Sequence, residues 1–538
     1  MFVTNSKKSM NSISVSGIPT SILTKLHRPA ALVLSILICL LIGCARTRYE
    51  ASHIYPLCEK PYEECPVKLC DYKSVQQRAN GQDPNLALAV AISGGGPRAA
   101  NFCAGALLEL EQTTNYDSTQ NNILCEVDYF STVSGGGFAA AAYISSLYDH
   151  LYFKKTYDGY SFASALRYPP EDYQPVKCPC KKPPADDEVI DPCIRRHLKG
   201  FYPDIIKDMV KDVLSLLLPG LFSQTGSFEQ SIDNNILGYR WRKMKLQTLA
   251  ESQQRGLSLT LADVFVSKDD PNTKVRLPYW VANATAYENG AIFTFTPDYL
   301  KLYKIYGYKH RSKEYKLTTQ RSSDEFIWKM PLSVAATASA SFPVATYPTT
   351  LWNSLDPNNP YLHLYDGGMA ENLGVITAVR LLDNDCEDTV TTKALIVIDA
   401  YQGTFAPFSN TRRPPPVGKT AIRALDIYLD SWRGRYREIV RSLCSNKGVG
   451  VVFISFDELA ELTDCGPLLD FGLDPNDVIK LTAKSDCGDA PFNLLRSIST
   501  LKLRDKGKLS SAEQNLLLAA GRYAAEKKKD DILNILNW

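Results

Sequence analysis

The segment Ser131-Thr132-Val133-Ser134-Gly135-Gly136-Gly137 constrains this chain more than any other. It follows the β-prone run Val127–Phe130 and precedes a small-residue helical pattern, Phe138–Ile144. Strand, tight turn and helix in that order put a serine at the apex of a sharp elbow, with its hydroxyl open to a substrate. A serine hydroxyl attacks a carbonyl only with a base beside it. Histidines are scarce, six in all (His27, His53, His150, His197, His310 and His363), so a carboxylate is the expected base. Tyr365-Asp366-Gly367-Gly368 offers one. Asp366 ends the largely apolar stretch Tyr361–Tyr365, and the glycines after it let other backbone approach. His363 is the histidine nearest in sequence. On a strand, positions 363 and 366 face opposite sides, so a direct partnership is not expected.

A third segment makes the pair specific. Leu86–Ile92 is apolar and β-prone, Ser93-Gly94-Gly95-Gly96-Pro97-Arg98 follows, and Ala99–Glu111 reads as a helix. A Gly-rich loop at a helix N-terminus leaves backbone N–H groups free for a phosphate or for the oxyanion of acyl transfer. Gly94, Gly95 and Gly96 are the expected donors. Arg98 is read either as orienting a lipid phosphate or the glycine loop, or as a solvated arginine at a helix start. The loop by itself also suits a dinucleotide- or phosphate-binding module. Ala99 breaks the Gly-x-Gly-x-x-Gly pattern, Ser134 stands where a Rossmann acid is wanted, and no Gly-Lys-Ser/Thr follows.

With these three motifs the chain resembles the patatin-like phospholipases. The form Ser93–Ala99 is also similar to the oxyanion loop of the calcium-dependent cytosolic phospholipases. Pro331–Pro343, with Ala335, Ala336, Ala338, Ser339 and Pro343, resembles the family's Ala/Ser-rich helix before a proline. The resemblance covers roughly residues 86 to 405. It implies a Ser134–Asp366 dyad without histidine, an oxyanion hole at Gly94–Gly96 and no cofactor. It also implies an α/β fold, a three-layer sandwich around a mainly parallel central sheet. Two positions depart from the family pattern. Thr132 stands where glycine is usual in the elbow, and Ala99 where a last glycine is common.

The ends of the chain carry separate signals. Lys25, His27 and Arg28 precede the apolar run Pro29–Gly43, which closes in Leu41-Ile42-Gly43-Cys44. That pattern resembles a bacterial lipoprotein signal, with Cys44 as the lipidated residue; an uncleaved signal anchor is the other reading. Both tether the chain to a membrane, and the first implies a periplasmic or outer-membrane lipoprotein of a bacterial envelope. Cys58, Cys65, Cys70, Cys178, Cys180 and Cys193, in loops with Pro and Lys, read as disulfides of an exported protein. Cys103 and Cys125 read as buried thiols. No Cys-x-x-Cys or close histidine pair completes a zinc site. A net charge of +2 argues against nucleic acid as a partner.

The expected organisation is a signal or anchor over 1–44, a Cys-containing tether over 45–85, and a hydrolase core over 86–405. Residues 165–250 form a Pro/Cys-rich insertion, and 406–538 an extension that completes the core and ends in helices. Within the insertion, Pro203–Leu218 reads as an amphipathic helix, either a cover for the core or a lid that touches lipid. Val275–Glu288 and Ala291–Phe295 read as a hairpin turning at Asn289-Gly290, and Trp328–Ser341 as one helix. Ala394–Ile398 and Gly448–Phe456 read as strands, and Ser511-x-x-Gln514 as a capping box. The expected activity is hydrolysis of acyl esters of membrane lipids at a membrane surface. The alternatives are an inactive lipid-binding protein of the same fold, and the phosphate-binding module above.

Overall fold

The structure, a computed structural model, describes residues 83–114, 122–154, 160–165, 258–265, 277–310, 313–317, 323–343, 348–355, 357–383, 390–400, 436–482 and 509–538, with a few isolated positions between. Cys44, the tether before Asp83, most of the 165–250 insertion and its Pro203–Leu218 helix lie outside the described residues.

A ten-stranded sheet forms the centre, with helices packed around it. Its strands are β1 (Leu86–Ile92), β2 (Val127–Val133), β3 (Tyr279–Ala286), β4 (Ile292–Thr294), β5 (Ile305–His310), β6 (Lys313–Lys316), β7 (Thr349–Asn353), β8 (Tyr361–Asp366), β9 (Thr392–Asp399) and β10 (Val449–Ser455). They lie in the order β10-β9-β1-β2-β3-β8-β7-β5-β6, with β4 beside β3. From β10 to β3 the strands run parallel. From β8 outward they alternate. β1 reads Leu-Ala-Leu-Ala-Val-Ala-Ile and is buried along its whole length. A strand covered on both faces has to be a continuous apolar run. β8 instead alternates: Leu362, Leu364 and Asp366 are buried, while Tyr361, His363 and Tyr365 are not.

The helices that matter for the site are α1 (Gly96–Gln112), α2 (Gly136–Lys154), α3 (Leu332–Ser339), α4 (Val375–Asp383), α5 (Ser511–Lys527) and α6 (Lys529–Leu536). α1, α2 and α4 pack on the parallel strands, and α3 covers β3 and β8. The expected helix Trp328–Ser341 is two. Ser323–Trp328 ends, the chain turns at Met330, and Pro331 stands in extended backbone as the N-cap of α3. A proline ring clashes with the preceding helical turn and has no N–H to give it. The expected capping box is displaced by one residue. Ser510, not Ser511, caps α5: its hydroxyl accepts the Glu513 N–H, and the Glu513 carboxylate accepts the Ser510 N–H. The charged Glu513 answers the positive helix end better than the amide of Gln514, which is buried. The hairpin forms between β3 and β4, with Gly290 at φ +71°.

α1 is held from outside by α5, backbone against backbone. A methyl group at Gly105 would stand 2.2 Å from the Leu518 carbonyl oxygen, and one at Gly521 would stand 2.0 Å from that of Phe102. Arg522 closes the contact on Glu109, Nε to Oε2 at 2.7 Å. Cys103 and Cys444 are buried thiols, Cys125 is only partly buried, and Cys465 is disulfide-bonded. Among the described residues, no helix is long and apolar enough to cross a membrane.

Candidate active site

Ser134 stands at the junction of β2 and α2 with φ +50°, a left-handed conformation rare outside glycine. The turn is that sharp because α2 starts two residues later. The Ser134 N–H donates to Ser339 Oγ at 2.9 Å, so the C-terminal end of α3 holds the elbow. The carbonyl of Ser134 accepts the Gly137 N–H at 3.0 Å. The next two glycines let the elbow rest directly on the glycine loop. A methyl group at Gly135 would lie 2.2 Å from the Gly96 carbonyl oxygen, and one at Gly136 would lie 2.1 Å from that of Ser93.

Both departures from the family pattern are accommodated. Thr132 turns into the core and is fully buried. Its Oγ1 accepts the indole N–H of Trp280 at 2.8 Å and lies 3.5 Å from the Val281 carbonyl oxygen. Gly137 makes the room, since a methyl group there would come within 2.9 Å of Thr132 Oγ1. Ala99 sits in the first turn of α1, and its N–H donates to the Gly95 carbonyl at 3.3 Å.

Asp366 ends β8 and is 4% exposed. Its carboxylate accepts the Gly368 N–H at 2.8 Å and lies close enough to the Ser134 side chain for that hydroxyl to lower its pKa. Burial pushes its pKa up to about 6, against the pull of those two groups. Its own N–H donates to the Ser341 carbonyl at 2.9 Å, and its carbonyl accepts the Thr285 hydroxyl at 2.8 Å. His363 is on the other face of the strand. Its Nδ1 is 3.0 Å from Thr350 Oγ1, and its ring lies along that of Tyr361.

The three glycines of the loop are not equivalent. The Gly94 N–H donates to the Asn372 carbonyl at 2.9 Å, so it fastens the loop and is not a free donor. No described residue accepts from the N–H of Gly95, at φ +148°, or of Gly96, the first residue of α1. Arg98 is 2% exposed, which removes the solvated reading. Ser93 ties the loop to β9, its Oγ accepting the Ala400 N–H at 2.8 Å.

Several residues that support the site were not singled out by sequence reasoning. β3 lies between the strands that carry Ser134 and Asp366, and two polar side chains on it serve both neighbours. Asn283 Nδ2 donates to Ser131 Oγ and to the Thr132 carbonyl, each at 3.0 Å, and its Oδ1 accepts the Thr377 hydroxyl at 2.6 Å. Thr285 holds the carbonyl of Asp366 and accepts the Ala370 N–H at 3.1 Å. Asn372 bridges the glycine loop and the Asp366 turn. Its Oδ1 lies 2.5 Å from where a methyl on Gly94 would stand and 2.6 Å from the same point on Gly368. The available signal was polarity: Asn and Thr in the otherwise apolar run Tyr279–Ala286 need buried partners.

A family model described as patatin-like phospholipase matches residues 90–379. Among solved structures, human GIVD cytosolic phospholipase A2 is similar at 13% identity with a TM-score of 0.37, over 89% of this chain and 67% of that one. Its complex with methyl gamma-linolenyl fluorophosphonate and terbium chloride is similar at 12% identity and a TM-score of 0.37, over 89% of this chain and 64% of that one. The chain therefore spans a little under two thirds of that relative's length. No curated protein sequence matches the chain.

Proposed function

Because this chain belongs to the patatin-like phospholipase family, we propose that it is a serine acyl hydrolase acting on lipid esters, of phospholipase or lysophospholipase type. Ser134 Oγ attacks the ester carbonyl while the Asp366 carboxylate takes its proton. The N–H groups of Gly95 and Gly96 receive the oxyanion. Protonated Asp366 gives its proton to the leaving alcohol, then draws one from the water that attacks the acyl carbonyl, and returns it to Ser134 Oγ as the fatty acid leaves. The observation that carries this reading is the approach of the buried Asp366 carboxylate to the side chain of a serine held at φ +50°, with His363 on the far face.

The reading has a pH signature. Asp366 works ionised, and its pKa is raised to about 6. On a soluble short-chain ester, kcat/KM should fall as pH is lowered through about 6, and a fluorophosphonate probe should label Ser134. A profile flat from pH 8 to pH 5, or labelling at another residue, would sink the dyad.

We also propose that the chain is membrane-tethered through Cys44, on the strength of Leu41-Ile42-Gly43-Cys44 after a basic and apolar run. Mass spectrometry of the native N-terminus should find an acylated Cys44. An unmodified Met1 or Met10 terminus on membrane-bound protein would replace this by the uncleaved anchor.

A further inference from the structure

The turn between Asp366 and α4 carries an acid that the dyad does not use. Glu371 is 7% exposed, and its own N–H donates to the Gly367 carbonyl at 3.0 Å. Its carboxylate accepts the N–H of Leu373 at 2.5 Å and of Ile376 at 3.3 Å, and lies close enough to those of Gly374 and Val375 for them also to lower its pKa. One side chain thus ties Leu373, just before α4, to Ile376 in its first turn, whose N–H an α-helix leaves without a partner. Asn372 is caught between this clamp and Asp366. Its carbonyl is the acceptor for the Gly94 N–H, and its Oδ1 packs against Gly94 and Gly368.

We propose that Glu371 is a positioning residue for the oxyanion loop: by fixing the 367–376 turn it fixes Asn372, and through Asn372 the placement of the Gly95 and Gly96 donors. The inference rests on the acyl-hydrolase reading of the same site and adds a group that the family motifs do not name.

Ionisation decides whether the clamp is complete. An ionised carboxylate offers both oxygens as acceptors, one for Leu373 and the other for Ile376. A protonated one has a hydrogen on one oxygen and loses much of that oxygen's acceptor capacity. Burial pushes the Glu371 pKa up to about 7, with the four amides holding it lower than burial alone would. The groups packed against the turn from β2 and β3, among them Ser131, Val133, Asn283 and Thr285, are uncharged. The other acid of the turn is Asp366. On α4, Arg380 reaches Tyr299 and Asp383 pairs with Lys447. The clamp therefore tightens as pH rises through about 7. Stability runs the opposite way. A carboxyl whose folded pKa is raised contributes most when protonated, and that contribution is lost as pH rises through the folded value. Activity and melting temperature should part company, which a merely structural acid would not produce.

The experiment measures kcat, KM and melting temperature between pH 5.5 and 9 on a soluble short-chain ester, for the full chain and for Glu371→Gln. The wild type should show two acid-limb ionisations, near 7 and near 6, and no fall in melting temperature from pH 8 to pH 6. Glu371→Gln should lose about 10- to 100-fold in kcat with little change in KM, as expected when transition-state donors are misplaced by up to about 1 Å. Its profile should keep only the limb near 6. A folded Glu371→Gln enzyme with wild-type kcat overturns the proposal, as does a wild-type profile without a limb near 7, a test that needs no variant. The dyad reading fails on a different result: an active Asp366→Asn enzyme, or no limb near 6 in Glu371→Gln.

Discussion

Ser134→Ala and Asp366→Asn should each lower ester hydrolysis by about 10⁴-fold or more, the scale of loss when a serine hydrolase is deprived of its nucleophile or of the acid that serves it. Both variants should stay folded. Alanine meets the same backbone strain at φ +50° as serine does and adds no atom to the elbow. Asparagine keeps an oxygen for the Gly368 N–H but cannot take a proton from Ser134. The stability sign follows from the pKa. The Asp366 carboxyl is raised from 3.8 to about 6, so its stabilising contribution is present below pH 3.8 and lost as pH rises through about 6. At pH 8 the wild type holds a buried charge at a cost, and the neutral amide should melt no lower. His363→Ala is the control, because that ring faces Thr350 and Tyr361. It should retain most activity. If it were as inactive as Ser134→Ala, with unchanged melting, the assignment of Asp366 as sole base would be wrong.

Gly135→Ala should be among the most damaging methyl groups that can be added near the site. Its added carbon would meet the carbonyl oxygen of Gly96 at 2.2 Å and the carbonyl carbon at 2.6 Å. Backbone cannot swing aside as a side chain can, so the elbow and the oxyanion loop have to separate. Overpacking of this kind costs about 1–3 kcal/mol. A displacement of about 1 Å between nucleophile and oxyanion donors costs about 100-fold in rate. Gly290→Ala separates the two effects. Its φ is +71° but nothing lies within 4 Å, so it should lose some stability and no activity. Paired melting curves and kcat/KM values test both. A Gly135→Ala enzyme with wild-type rate would mean that the loop need not touch the elbow during turnover.

What could be read from the sequence was what local composition determines. β1 and β9 carry the continuous apolar runs Leu86–Ile92 and Ala394–Ile398, as expected of parallel strands in the middle of a sheet that is covered on both faces. β5 and β6 were not foreseen, because Ile305–Lys316 mixes tyrosine with lysine and lacks a clean alternation. The elbow and the Asp-Gly-Gly turn were legible because their glycines are required by close backbone approach, which leaves a mark in the sequence. The division of labour within the glycine loop was not. Gly94 spends its N–H on Asn372, a partner nearly 280 residues later, and nothing near Gly94 announces it. Thr132 looked like a flaw in the elbow. Its compensation is Trp280, on the neighbouring strand, with Gly137 making room. Glu371 lies in Met-Ala-Glu-Asn-Leu-Gly, a stretch without periodicity, and only the fold shows that four amides converge on it.

The packing of α1 against α5 also sets a schedule. Glu109 and Arg522 are 413 positions apart, and Gly105 and Gly521 admit the opposite backbone only when both helices exist. A ribosome adds about 5–20 residues per second, so α1 emerges on the order of tens of seconds before the helix that covers it. Until then the small apolar side of α1 is bare, and the amides at its N-terminus have no rigid seat. On the acyl-hydrolase reading, the nascent chain carries Ser134 long before it has made the helix that backs the one bearing its glycine loop.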